Sequence, residues 1–148
     1  MKTLNRQILQ FLLFDPMAYT NTFITIADDC PATMAKNPTR DKDTLTRAEI
    51  EYNLLTYEPY TYNHLEFTHL VHTRHKAQSG DVPLAFDEFH AKGQPCMRAS
   101  ALVKRYGWGA HYDAKGRIAI YSLDSAEYAN FCDDGDTKLL KGMRNKRA

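Results

Sequence analysis

The chain has 148 residues, 43% hydrophobic and 25% charged, enough for one domain to bury a core without disulfides or metal. Its 19 Lys and Arg against 18 Asp and Glu leave a formal net charge of +1, which argues against a protein built to coat nucleic acid. Three cysteines, Cys30, Cys96 and Cys132, are odd in number and lack the close pairing of zinc or redox motifs, so they read as reduced thiols in a cytoplasmic protein.

At the start, Lys2 and Arg6 precede an apolar run over residues 8–14 that Gln10 interrupts. No small-x-small cleavage site precedes Asp15-Pro16, and the run is too short to span a bilayer. Residues 1–16 are expected to be a short docking helix or an upstream extension, and residues 17–148 a single domain with no membrane attachment. Residues 22–27 are rich in β-branched side chains and read as a strand, closed by Asp28-Asp29-Cys30-Pro31. A surface loop follows over residues 31–43. Its acids, with Asp28 and Asp29, lack the spacing of a calcium loop and read as solvated.

Helices come next, each with a start signal. Thr46-Arg47-Ala48-Glu49 is a capping box, and Ile50, Leu54 and Tyr57 recur at helical spacing as a buried stripe that Pro59 ends. Asn63-His64-Leu65-Glu66 repeats the box for a helix to about Gln78, although residues 64–74 also alternate as a strand would. His69, His72 and His75 lie in this stretch. Steps of three spread them around a helix, and no further ligand completes a metal set, so no metal or cofactor is expected. Residues 82–92 read as a helix with Asp81 as cap, Pro83 in its first turn and Gly93 as terminator. Ser100 caps a short helix that ends by Gly107.

Asp113-Ala114-Lys115-Gly116 suits a type I turn with Gly116 left-handed, which sets a hairpin of residues 108–113 and 117–122. In that register Tyr112 faces Ile118, Ala110 faces Ile120 and Gly109 faces Tyr121. One face carries Trp108, Ala110, Tyr112, Ile118 and Ile120 and belongs in the core. The other carries Gly109, His111, Asp113, Arg117 and Tyr121. Asp124-Ser125-Ala126-Glu127 is a third capping box, which opens a short helix after the hairpin. Residues 137–148 hold five Lys and Arg and no acid, and read as a basic, solvated tail.

Four stretches carry a resemblance: Tyr19-Thr20-Asn21-Thr22-Phe23-Ile24, Ala27-Asp28-Asp29-Cys30-Pro31, Lys92-Gly93-Gln94-Pro95-Cys96-Met97-Arg98-Ala99-Ser100 and Lys104-Arg105-Tyr106-Gly107-Trp108-Gly109. They look like the motifs of a family of small bacterial proteins classed only as a domain of unknown function. The resemblance covers residues 19–147. It implies a cytoplasmic protein and brings no activity, cofactor or catalytic residue with it.

The expected architecture is α+β: about three mostly antiparallel strands, ending in the hairpin and covered by four or five short helices. Its core is Trp108, Tyr112, Ile118, Ile120, Ile50, Leu54, Phe67, Phe86 and Phe89, with either Phe23 or Ile24. The leading functional expectation is a binding module in which Arg98, Arg105, Trp108, His111, Arg117 and Tyr121 form a basic, aromatic corner for a small anionic or nucleotide-like ligand. The alternatives are an enzyme using Cys96 or His111 there, or a protein-interaction or homo-oligomeric domain.

Overall fold

The computed structural model describes residues 19–147, so the expectations for residues 1–16 lie outside the described residues. In chain order the elements are β1 Thr22–Thr25, α1 Arg47–Tyr57, α2 His64–Ala77, α3 Phe86–Ala91, a single 3-10 turn Met97–Ala99, α4 Ala101–Lys104, β2 Trp108–Tyr112, β3 Ile118–Ser122, α5 Ala126–Asp133 and β4 Lys138–Lys141.

The hairpin forms in the expected register, with Tyr112 opposite Ile118, Ala110 opposite Ile120 and Gly109 opposite Tyr121. Gly116 has a φ of +76°, and the Asp113 carboxylate accepts from the amides of Lys115 and Arg117, so the turn residues themselves set the pairing. β1 pairs antiparallel to β2. The sheet differs from expectation beyond β1, where β4 adds a parallel fourth strand and the order becomes β3-β2-β1-β4. The basic tail is therefore structured: Lys138-Leu139-Leu140-Lys141 is a four-residue edge strand whose flanking lysines hide it in the sequence.

Both faces of the sheet are covered. On one face Ile24, Ala110, Tyr112 and Ile118 pack with Ile50, Leu54, Leu55, Phe67, Val71, Met97, Leu102 and Val103 in the main core. On the other, Phe23 is fully buried beneath α5, with its ring stacked on Phe131 at 4.9 Å and edge-on to Tyr128 at 4.9 Å. Phe23 and Ile24 are thus both core residues, on opposite sides. Gly109 has to be glycine here, because a Cβ would run into the rings of Phe23 and Tyr128.

The capping boxes at Thr46 and Asn63 form, and residues 64–77 are helix rather than strand. Three local expectations are corrected. Tyr57 is 84% exposed, because the buried stripe of α1 runs through Leu54 and Leu55 before the helix ends. The helix expected over residues 82–92 begins only at Phe86, without a side-chain cap, and the Asp81 carboxylate instead accepts from the Ser79 hydroxyl. The third box is displaced by one residue: Ser125 caps α5 by accepting from the Tyr128 amide, while Asp124 accepts from the Ala35 amide.

The tail is docked beyond β4 as well. The Asp29 carboxylate accepts from the amides of Asn145 and Lys146, the Met143 amide donates to the Arg98 carbonyl, and Lys141 pairs with Asp28 at 3.2 Å. Asp28 and Asp29, expected to be solvated loop acids, hold the C-terminal segment.

A polar cleft at the candidate functional site

The structure distributes the expected corner over four places. Arg98 donates through Nε to the Lys141 carbonyl at 2.7 Å, and Arg105 donates to Asn145 Oδ1 at 3.4 Å, so both arginines hold the tail. Trp108 lies on the core side, its indole N–H donating to the Lys36 carbonyl and its ring edge-on to Tyr52 at 5.4 Å. Arg117 is exposed beside the hairpin turn.

Of the six, His111 and Tyr121 come together. The Tyr60 hydroxyl lies 2.8 Å from His111 Nδ1 and 2.8 Å from the Tyr121 hydroxyl, and the His111 ring stacks on Phe131 at 4.1 Å. Burial pushes the His111 imidazole below its ordinary value, against the pull of Asp113 and Asp134. The neutral ring and its two tyrosines thus close over the second face as a small hydrogen-bonded, aromatic cluster.

Cys96 lies elsewhere. With Gln94, Pro95, Ala99, Ser100 and Ala101 it forms one wall of a cleft of about 250 Å³; α1 contributes Arg47, Ala48 and Glu51, and α2 contributes Thr68, Val71 and His72. The wall keeps its shape for local reasons. Gly93 turns the chain at φ +64°, the Gln94 side chain donates to the Phe89 carbonyl at 2.8 Å, and the Ser100 hydroxyl accepts from the Leu102 amide to start α4. The Cys96 thiol sits 3.6 Å from the Tyr19 hydroxyl.

Glu51 is the acid of this cleft. Its Oε1 accepts from the Ser100 hydroxyl at 2.9 Å, and burial lifts its carboxyl to about 7 despite the opposing pull of Ser100 and Arg47. Sequence reading misses it, since an acid four residues after an arginine on a helix looks like half of a surface ion pair. No such pair closes: among the described residues the ion pairs are Arg40 with Glu49 and Lys141 with Asp28.

The histidines of α2 have a structural task. His69 Nε2 donates to the Leu84 carbonyl at 2.9 Å, while His72 Nε2 accepts from the Leu84 amide at 3.0 Å. Accepting through Nε2 requires a neutral His72 with its proton on Nδ1, in keeping with burial that holds its pKa down. Together the two rings hold residues 81–85 out of helix, which is why α3 starts late. Among the described residues no group of three or more His, Cys, Asp or Glu side chains is arranged to hold a metal ion. No helix of the described residues is long and apolar enough to cross a membrane.

These observations define an α+β protein with a mixed four-stranded sheet, helices on both faces and a polar cleft walled by residues 94–101. Residues 14–148 match the Family of unknown function (DUF6157), and the chain belongs to that family. No curated protein and no solved structure matches it.

Proposed function

We propose that the protein is a binding module for a small ligand, and that the ligand sits in the cleft between α1, α2 and residues 94–101. The observation that carries this reading is Glu51, a carboxyl group packed round by protein that still lines an open cleft. A half-buried ionisable group whose charge is disfavoured and which has one protein hydrogen bond is costly to fold around and is favoured where a ligand uses it. The cleft lies below the 300–1,000 Å³ range of drug-sized pockets, which suits a small metabolite better than the nucleotide-like ligand that the sequence suggests. Arg47 is the cation available there for an anionic group. The three free thiols fit a reducing, cytoplasmic compartment.

The enzyme alternative keeps one supporting observation, the placement of Cys96 in the same cleft as Glu51 and His72. It lacks an imidazole base, since His72 Nε2 is occupied by the Leu84 amide. Binding is therefore the stronger reading.

The test is a thermal-shift screen of small carboxylates, amines, amino acids, sugar phosphates and nucleotides. A ligand at a hundred times its dissociation constant adds about 2.7 kcal/mol, which raises the midpoint by a few degrees. The shift should shrink in Glu51→Gln and persist in Arg105→Ala and Arg117→Ala. A shift lost in the two arginine variants and kept in Glu51→Gln would move the site to the basic surface and overturn the cleft reading.

A further inference from the structure

Resting on the cleft reading, we infer that the ligand is a small zwitterion of the amino-acid type, with its ammonium group on Glu51 and its carboxylate on Arg47. Arg47 and Glu51 stand four residues apart on α1, so their side chains leave the same helix face one turn apart. Both line the cleft, close enough for Arg47 to pull on the Glu51 carboxyl, yet they form no ion pair. Arginine placed before glutamate is the less favourable order for closing such a pair on a helix. A guanidinium and a carboxyl that ionises at about 7, and more readily once an ammonium group meets it, are thus presented side by side, each with capacity left for a partner.

The other polar walls add no competing charge. Arg47 is the only Lys or Arg among the described lining residues, and His72 is held neutral by the hydrogen bond from Leu84. A simple anion on Arg47 would sit beside the Glu51 carboxylate and be repelled by it. A simple amine on Glu51 would leave the guanidinium facing it as a like charge. A molecule bearing both charges a few ångströms apart meets both groups, and Val71 and Phe89 offer an apolar wall for its remaining atoms.

The experiment uses the full chain and three sets of probes: the common L-amino acids, their N-acetyl derivatives, which lack the cation, and their carboxamides, which lack the anion. Binding is read by calorimetry and by protection of Cys96 from N-ethylmaleimide, with the modified cysteine assigned by peptide mapping. The expected result is that at least one free amino acid binds and protects Cys96. Either derivatisation weakens it about thirtyfold or more, Glu51→Gln weakens it by a similar factor, and Arg47→Gln also weakens it. The carboxamide introduced by Glu51→Gln keeps an oxygen acceptor for the Ser100 hydroxyl, so this variant retains its fold.

If N-acetyl amino acids or plain carboxylates bind as well as the free amino acid, and Glu51→Gln is indifferent, the zwitterion assignment is overturned while the cleft remains the site. If no free amino acid binds or protects Cys96, the assignment is likewise overturned. The cleft reading then stands or falls on the wider screen with sugar phosphates and nucleotides.

Discussion

Glu49 and Glu51 are two residues apart on α1 and titrate in opposite directions. Burial alone would raise Glu49, but donors from Thr46 and from the Arg40 amide and guanidinium outweigh it and hold the carboxyl at about 2. Its stabilising effect is fully present above about 4.5 and is lost as pH falls towards about 2. Replacing it as Glu49→Gln should cost about 2–3 kcal/mol at pH 7 in urea unfolding, with the gap to the parent narrowing in acid. Glu51 is the reverse, raised from 4.5 to about 7, so its contribution is fully present below about 4.5 and is lost as pH rises through about 7. Glu51→Gln should match the parent near pH 4 and exceed it at pH 8 by up to about 3 kcal/mol. Equal stabilities at pH 8 would show that the carboxyl is solvated and ordinary. Neither behaviour is legible in Glu-x-Glu, because what separates the two is Arg40 reaching back over one and Ser100 arriving from elsewhere to meet the other.

At the level of elements, what sequence reading recovers depends on whether the deciding contact is local. The hairpin register and the boxes at Thr46 and Asn63 are set by residues within one turn of each other, and they are legible. The start of α3 is set by His69 and His72, more than ten residues away in the chain, and is not. His72→Ala should leave the Leu84 amide without its acceptor and cost about 1–3 kcal/mol, with faster exchange of that amide as the direct readout. For α5, Ser125→Ala should cost about 1 kcal/mol through the lost cap, whereas Asp124→Ala leaves the helix start intact. A larger effect for Asp124 would restore that residue as the cap of the box. Phe131 escapes the expected core because a helix of eight residues gives no sign of which sheet face it closes over.

For the whole molecule, the unexpected organiser is the C-terminal segment. A run of lysines and arginines has the composition of a solvated tail, and only the partner strand β1 and the acids Asp28 and Asp29 reveal it as part of the sheet. The candidate site is half legible for the same reason. Gln94 to Ser100 stands out as a block, but the helix face that completes the cleft is distant in sequence, and the arginines beside it turn towards the tail. Removing residues 138–148 should do more than strip charge. It bares one edge of β1 and the Val103 side chain against Gly142, and should lower stability by at least about 3 kcal/mol of the 5–15 kcal/mol typical of a domain. A truncated chain with an unchanged melting midpoint would return residues 138–148 to the status of a solvated tail.

The parallel pairing of β1 with β4 also sets a timetable for biosynthesis. β1 is made early and acquires its second neighbour only when residues 138–141 have emerged from the ribosome, more than a hundred residues later. Once β2 and β3 have paired with it, and until β4 arrives, the nascent sheet carries an open edge next to two fully buried side chains, Phe23 and Ile24. Completion of this fold therefore waits on residues 138–141, and the growing chain is most open to chaperones and to wrong strand partners just before they emerge.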